Sequence, residues 1–344
     1  MTKRTKGLAV VSAVLSLSLL AAACGGDDAT GGTDGGATGG DLTGTIVVSG
    51  SSTVLPISSL VAELFNEEVA PNVAITVNGP GTGDGFELFC AGEADVSDAS
   101  RPIEQEEIDA CAENGIEYVE LEVAIDGIAV MTNPANGSVT CLNQADLYAL
   151  FGPESEGFAN WSDANALAAE VGGTGTFPDA PLEITAPGEE SGTYDSFIEI
   201  NGFEDVALER GVEEDQAAAL RKDYQASPDD NVIIAAMEGA EAPLGFVGFA
   251  YAEEAGDAVK EIEIDGGSGC VAPTSETIAD GSYPISRSLY IYVNTAEAAE
   301  NPALTEFVDY YLTDTALMDV VSEVGYVGLP AERIEATRSA WASV

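Results

Sequence analysis

The chain of 344 residues contains no histidine. That absence removes Ser-His-Asp catalysis and the commonest side-chain metal ligand. Cations are scarce as well: 11 Lys and Arg stand against 60 Asp and Glu, a formal net charge of -49. Lys3, Arg4 and Lys6 account for three of the 11 and sit at the extreme N-terminus. A surface this acidic excludes nucleic acid and anionic membrane as partners, and the acid excess itself reads as solubility or tolerance of salty surroundings. There is no CxxC, no GxSxG elbow, no GxxxxGK[ST] loop and no strand-opening GxGxxG with an acidic partner. Redox, hydrolase and nucleotide readings therefore have no motif to stand on, no cofactor is expected, and neither is an enzyme. No repeat at a solenoid period is present.

What is there begins with an export signal. Lys3, Arg4 and Lys6 precede an apolar run from Leu8 to Leu20, then Ala21, Ala22, Ala23 and Cys24. The run falls short of the roughly 20 apolar residues that span a bilayer. Small residues before a cysteine suit cleavage and lipidation, so residues 1–23 are expected to be a lipoprotein signal and Cys24 the lipidated thiol. Gly25 to Asp41 holds only Gly, Asp, Thr and Ala, a composition that cannot offset the entropy of ordering. Residues 24–43 thus read as a tether with a reach of about 20 to 25 Å, holding a body on the outer face of the cell membrane. The other cysteines, Cys90, Cys111, Cys141 and Cys270, are even in number, which favours disulfides in an exported chain. Of the three possible pairings, order along the chain favours Cys90 with Cys111, across a short helix-spanning loop, and Cys141 with Cys270.

Beyond the tether, short β-rich runs alternate with helical patterns. Strands are expected at Thr45–Ser49, Val73–Val77, Val96–Ala99, Tyr118–Val130, Leu182–Ala186, Leu244–Ala250, Val259–Ile264 and Leu289–Val293. Helices are expected at Thr53 to about Glu68, Asp84–Ala91, after Ser191, Asp229–Met237, Pro302–Leu312 and Thr315–Glu323. This is an α/β series, expected to give two mainly parallel sheets. Strand-rich segments near Val123–Met131 and Tyr283–Val293 are candidate crossovers. They would make residues 44–125 with 289–344 one discontinuous domain and residues 126–288 a second, joined by a two-segment hinge.

Four strand-to-helix junctions are rich in Gly, Ser and Thr: Gly50–Thr53, Gly79–Gly83, Asp98–Arg101 and Glu190–Thr193. Each places hydroxyls and free backbone N–H groups at a helix start, where an oxyanion is held without a cation. One such junction is a helix cap. Four at the carboxyl ends of strands point to a shared site for a small anion. Arg101, following Ser100 at a strand end, is expected to fork onto two ligand oxygens as the only cation at the site. Arg287 is expected to tie the hinge through an ion pair.

Gly-Ser-Ser-Thr-Val from Gly50, the glycine-rich Gly79–Gly85, Ser-Arg-Pro-Ile from Ser100 and Glu-Ser-Gly-Thr-Tyr-Asp-Ser-Phe from Glu190 together resemble the phosphate-binding subunit of bacterial phosphate ABC transporters. The resemblance runs from about Thr45 to Pro330, and includes Phe89–Asp95, Asp229–Val232 and Gly245–Ala250. It implies a periplasmic-binding-protein fold, most similar to the family's variant with paired cysteines. It further implies inorganic phosphate as ligand, the permease and ATPase subunits of an importer as partners, and a monomer. The family's ligand contacts would fall on Ser52, Thr53, Thr82, Gly83, Ser100, Arg101, Ser191, Gly192 and Thr193. Two departures matter. Pro187 and Gly188 stand where some members carry an arginine, for which Arg101 would substitute. The aspartate that accepts the phosphate proton near Ser100 is unidentified, with Asp84, Asp98 and Asp195 as candidates. That acceptor decides between phosphate and sulfate, because only phosphate still carries a proton at neutral pH. The same fold holding sulfate, arsenate or molybdate, or serving as a phosphate sensor without transport, is the competing reading.

Overall fold

In the computed structural model, residues 42–239 and 241–344 are described. The expected signal, Cys24 and the tether through Asp41 lie outside them. Strand β1 (Thr43–Gly50) turns Ile46 and Val48 to one face, both fully buried, as a period-two pattern requires. Helix α1 (Leu55–Glu68) follows and buries Ile57, Val61 and Phe65, the i, i+4, i+8 stripe of an amphipathic helix. Strand β2 (Asn72–Asn78), helix α2 (Thr82–Cys90), strand β3 (Val96–Ala99) and helix α3 (Gln105–Asn114) complete the first β-α alternation. Both β2 and β3 pair in parallel with β1.

The chain then enters β4 (Tyr118–Thr132), whose residues from Val123 onward are buried without a break. A strand covered on both faces reads as a continuous apolar run rather than an alternation. Later strands are β5 (Cys141–Asn143), β6 (Glu183–Ala186), β7 (Gln225–Ala226), β8 (Pro243–Gly248), β9 (Lys260–Glu261), β10 (Glu263–Asp265), β11 (Cys270–Val271) and β12 (Ser286–Asn294). The order β2-β1-β3-β12-β4-β8-β6-β7 forms one hydrogen-bonded path, with β9 added on β4. Its ends are the expected parallel sheets, β2-β1-β3 and β8-β6-β7. Between them β12 and β4 run antiparallel and fuse the two.

Apolar side chains collect in separate cores. One holds Val48, Phe65, Leu121, Val293, Phe307 and Tyr311. The other holds Val130, Phe151, Trp161, Phe197, Phe246 and Ile285. Along β4, Ala124 belongs to the first and Ile125 to the second. A small third cluster sets Phe86, Phe89 and Tyr292 around the Cys90–Cys111 disulfide, which ties α2 to α3. Cys141 pairs with Cys270, as chain order favoured, and joins β5 to β11 in a separate three-stranded sheet.

Several elements differ from expectation: the strand expected over Leu244–Ala250 ends at Gly248, where the helix Phe249–Ala255 begins, and the helices Gln144–Phe151 and Asn165–Val171 were not expected. The strand expected over Val259–Ile264 is divided: β9 pairs with β4, whereas β10 pairs with β5, so the chain changes sheets near Ile262. The helix expected over Thr315–Glu323 begins as a π-helix, Thr315–Val320, and becomes α-helical at Val321. A C-terminal helix, Ala331–Trp341, has Thr337 as its one buried residue, so it offered no apolar stripe to read.

Candidate anion site

The four hydroxyl-rich junctions meet. Gly81 donates its N–H to the Gly50 carbonyl at 3.0 Å, and Ser51 donates to the Asp98 carbonyl at 2.8 Å. Helix α2 can lie this close to the end of β1 because position 85 is glycine: a Cβ there would stand 2.4 Å from the Gly50 Cα. Gly81 has φ +117°, a conformation that other residues rarely adopt, and it sets the turn into α2. Part of the glycine-rich run thus answers to packing. Gly83, by contrast, faces open space and lines a cavity.

That cavity, of about 610 Å³, has Thr82, Gly83, Asp84, Ser100 and Arg101 on its wall, together with Glu199 and Arg287. The Thr82 and Ser100 hydroxyls are 3.0 Å apart, and the Ser100 N–H donates to Thr82 Oγ1 at 3.2 Å. Ser52, Thr53, Ser191, Gly192 and Thr193 are not part of this wall. They form a neighbouring seam. Ser191 caps the helix Gly192–Ile200, accepting from the Thr193 N–H at 3.2 Å. Across the seam Ser52 donates to Asp195 Oδ2 at 2.8 Å, and Thr53 Oγ1 lies 3.0 Å from Ser196 Oγ. Gly192 lies against this turn: a Cβ on it would be 3.2 Å from the Thr53 Cα.

The two arginines on the wall differ in their partners. Arg101 forks onto Glu107, with Nη1 and Nη2 at 2.9 and 2.8 Å, and its Nε lies 3.4 Å from Glu104. These contacts, Glu107 foremost, raise its pKa above the ordinary value and keep it cationic. It is not the only cation at the cavity, contrary to the sequence-based expectation, because Arg287 reaches the same space. Arg287 makes an ion pair, as expected: it sits opposite Asp126 in the β12–β4 ladder, its Nε 3.8 Å from Asp126 Oδ2. It also donates to Glu199, Ser196 and Thr53 at 2.5, 2.9 and 3.2 Å.

The three candidate proton acceptors occupy unlike surroundings. Asp84, in the first turn of α2, is exposed on the cavity wall. Asp195 is half-buried in the seam; burial pushes its carboxyl above the usual range against the lowering hydrogen bond from Ser52. Asp98 is wholly buried and faces away from the cavity, accepting from Ser58 on α1 at 2.9 Å, with Tyr311 3.0 Å beyond. Burial pushes it up to about 7, with Ser58 pulling the other way. Glu199 and Ser196 were not singled out by the sequence reading, although Ser196 lies inside the run that carried the resemblance. Among the described residues no group of three or more Cys, Asp or Glu could hold a metal ion, and no helix is long and apolar enough to cross a membrane.

Residues 35–315 match the family model described as the PBP superfamily domain. Protein SphX of Synechocystis is 38% identical over 291 residues, covering 84% of this chain and 79% of that protein. The phosphate-binding protein PstS of Staphylococcus haemolyticus is 34% identical over 326 residues, 93% of this chain and 92% of its own. Among solved structures, a possible phosphate binding protein from Planctomyces limnophilus superposes with a TM-score of 0.78 at 36% identity, covering 88% of this chain and 99% of that one. Such relatives are solute-binding proteins and not enzymes. With its fused pair of α/β sheets and converging hydroxyl-rich junctions, the chain belongs to the PBP superfamily, in the PstS-type family of solute-binding subunits.

Proposed function

We propose that this protein captures inorganic phosphate in the cavity walled by Thr82, Gly83, Ser100 and Arg101 and delivers it to the membrane subunits of an ABC importer. The observation that carries this reading is the meeting of Arg101, one of the few cations in this chain, with the Thr82–Ser100 hydroxyl pair and the open Gly83 on one wall. A guanidinium offers planar N–H groups matched to two oxygens of a tetrahedral anion, and hydroxyls and backbone N–H groups serve the others. An anion entering would compete with Glu107 for the Arg101 fork. Residues 44–125 with 289–344, and residues 126–288, act as two lobes whose closure brings the Ser52–Thr53 and Ser191–Thr193 seam onto the ligand. The protein works outside the cytoplasm, held to the membrane through lipid on Cys24.

A second reading, the same cavity taking sulfate, arsenate or molybdate, draws on the positions of the candidate acceptors. Of the three, Asp84 alone is on the wall, and its exposure weakens the repulsion of an unprotonated dianion. Titration calorimetry of the full chain with phosphate at neutral pH, repeated in excess sulfate, separates the two. Tight one-to-one phosphate binding that sulfate leaves unchanged is the expected result; binding abolished by sulfate would reassign the ligand.

A further inference from the structure

Arg287 makes contacts that no single lobe could supply. Its Nη2 reaches Thr53, 234 positions away on the turn between β1 and α1, and Ser196, 91 positions away on the helix Gly192–Ile200. Nη1 takes Glu199 on the same helix at 2.5 Å. The turn at Thr53 belongs to the first core, where Val54 is buried, and the helix belongs to the second, where Phe197 is buried. Arg287 itself stands on β12, a strand that passes between those cores, and there it is opposed by Asp126 on β4, the other such strand. Asp126 has no exposed surface, and the Arg287 side chain is 16% exposed. A buried carboxylate whose ion-pair partner is removed is strongly destabilised, so Asp126 keeps the guanidinium beside this strand pair, while the hydrogen bonds to Glu199, Ser196 and Thr53 set where its Nη atoms point. Tyr326 braces the same turn, donating to the Thr53 carbonyl at 2.8 Å.

We infer that Arg287 is a latch: anchored at the hinge by Asp126, its guanidinium clamps the Thr53 turn to Ser196 and Glu199 and so sets how long the two lobes stay together. The role is positioning rather than ligand contact. It rests on the two-lobe division proposed above and goes beyond the phosphate reading, on which only the release assay below depends. An arginine suits it, because one planar group serves three directions at once, whereas a lysine offers a single point of charge. Since the latch joins lobes that are already together, its loss acts on release more than on encounter.

The experiment compares the full wild-type chain with Arg287→Gln, Arg287→Lys and Ser196→Ala. Small-angle X-ray scattering without phosphate reads lobe separation, and stopped-flow mixing with inorganic phosphate reads capture and release. Arg287→Gln is expected to raise the radius of gyration in the absence of phosphate. It is also expected to speed release by about tenfold to a hundredfold, the range for a lost charged hydrogen bond, with the capture rate changed less than threefold. Arg287→Lys should fall between it and the wild type. Ser196→Ala, which keeps the Asp126 ion pair and guards against a folding defect, should show the same pattern more weakly. An unchanged radius with unchanged release in both Arg287→Gln and Ser196→Ala overturns the latch, as does a loss confined to the capture rate. If the wild-type chain fails to bind phosphate but Arg287→Gln still opens, the latch stands and the ligand assignment falls.

Discussion

The two arginines at the cavity, Arg101 at its rim and Arg287 at the proposed hinge, are held in opposite ways. Arg101 is satisfied by its own neighbourhood: Pro102, Glu104 and Glu107, the last of these only 6 positions away. Arg287 is satisfied by partners 88, 91 and 234 positions away, together with a wholly buried carboxylate on a facing strand. A locally satisfied cation forms its contacts wherever its segment folds, and the Arg101 side chain, 34% exposed, stays open to the cavity. A cation satisfied at long range exists only when the whole molecule has closed around it. Ligand contact is accordingly proposed for Arg101 at the rim, and closure for Arg287 at the proposed hinge. The same contrast holds for the disulfides, one closing a separation of 21 residues between α2 and α3 and the other one of 129.

That contrast can be broken most forcefully at the disulfides. Removing the long-range bridge with Cys141→Ser and Cys270→Ser should cost about 5 kcal/mol, against about 3 kcal/mol for Cys90→Ser and Cys111→Ser, because the longer loop releases more chain entropy on unfolding. Denaturant midpoints measure both, and equal losses would refute the loop-length account. Next in size, Arg101→Ala should weaken phosphate binding at least about a hundredfold, roughly 3 kcal/mol, by calorimetry, with little change in lobe separation. An effect on separation would erase the division between rim and hinge.

Asp98 sharpens the comparison through pH. Its folded-state value of about 7 lies above the ordinary 3.8, so the folded chain holds a proton that the unfolded chain gives up. Stability from this group is therefore full below pH 3.8 and is lost as pH rises through about 7. Asp98→Asn should flatten that fall and raise stability at pH 8 by on the order of 2 kcal/mol, read from unfolding curves across the window. The smallest effect is expected from Thr193→Val, because Thr193 is not on the cavity wall. A loss of several-fold in affinity, about 1 kcal/mol, is the expected calorimetric result.

Much of the fold was legible because its signals are local. The alternation in Ile46 and Val48, the stripe through Ile57, Val61 and Phe65, and the mostly apolar second half of β4 follow from which faces each element buries. The helix Ala331–Trp341 escaped notice because it buries almost nothing, and β9 and β10 ran together because their separation lies in their partners. At the site, Thr82, Gly83, Ser100 and Arg101 were nameable as a strand-end cluster and do share one wall. Asp98 and Asp84 looked alike in the sequence as acids beside that cluster. One points into the core toward Ser58 and Tyr311, the other into open cavity, since strand pleat and helix phase send neighbouring side chains to different faces.

The sequence by itself determined the α/β alternation, the hydroxyl-rich helix starts and the scarcity of cations, because periodicity, capping chemistry and charge are properties of short segments. Only the tertiary structure decided that Arg287 joins Arg101 at one cavity, that Asp126 is buried beneath it, and that Thr53 meets Ser196. Those contacts depend on β4 and β12 crossing between two cores. Their distances are set by the packing of those cores, which no local pattern records.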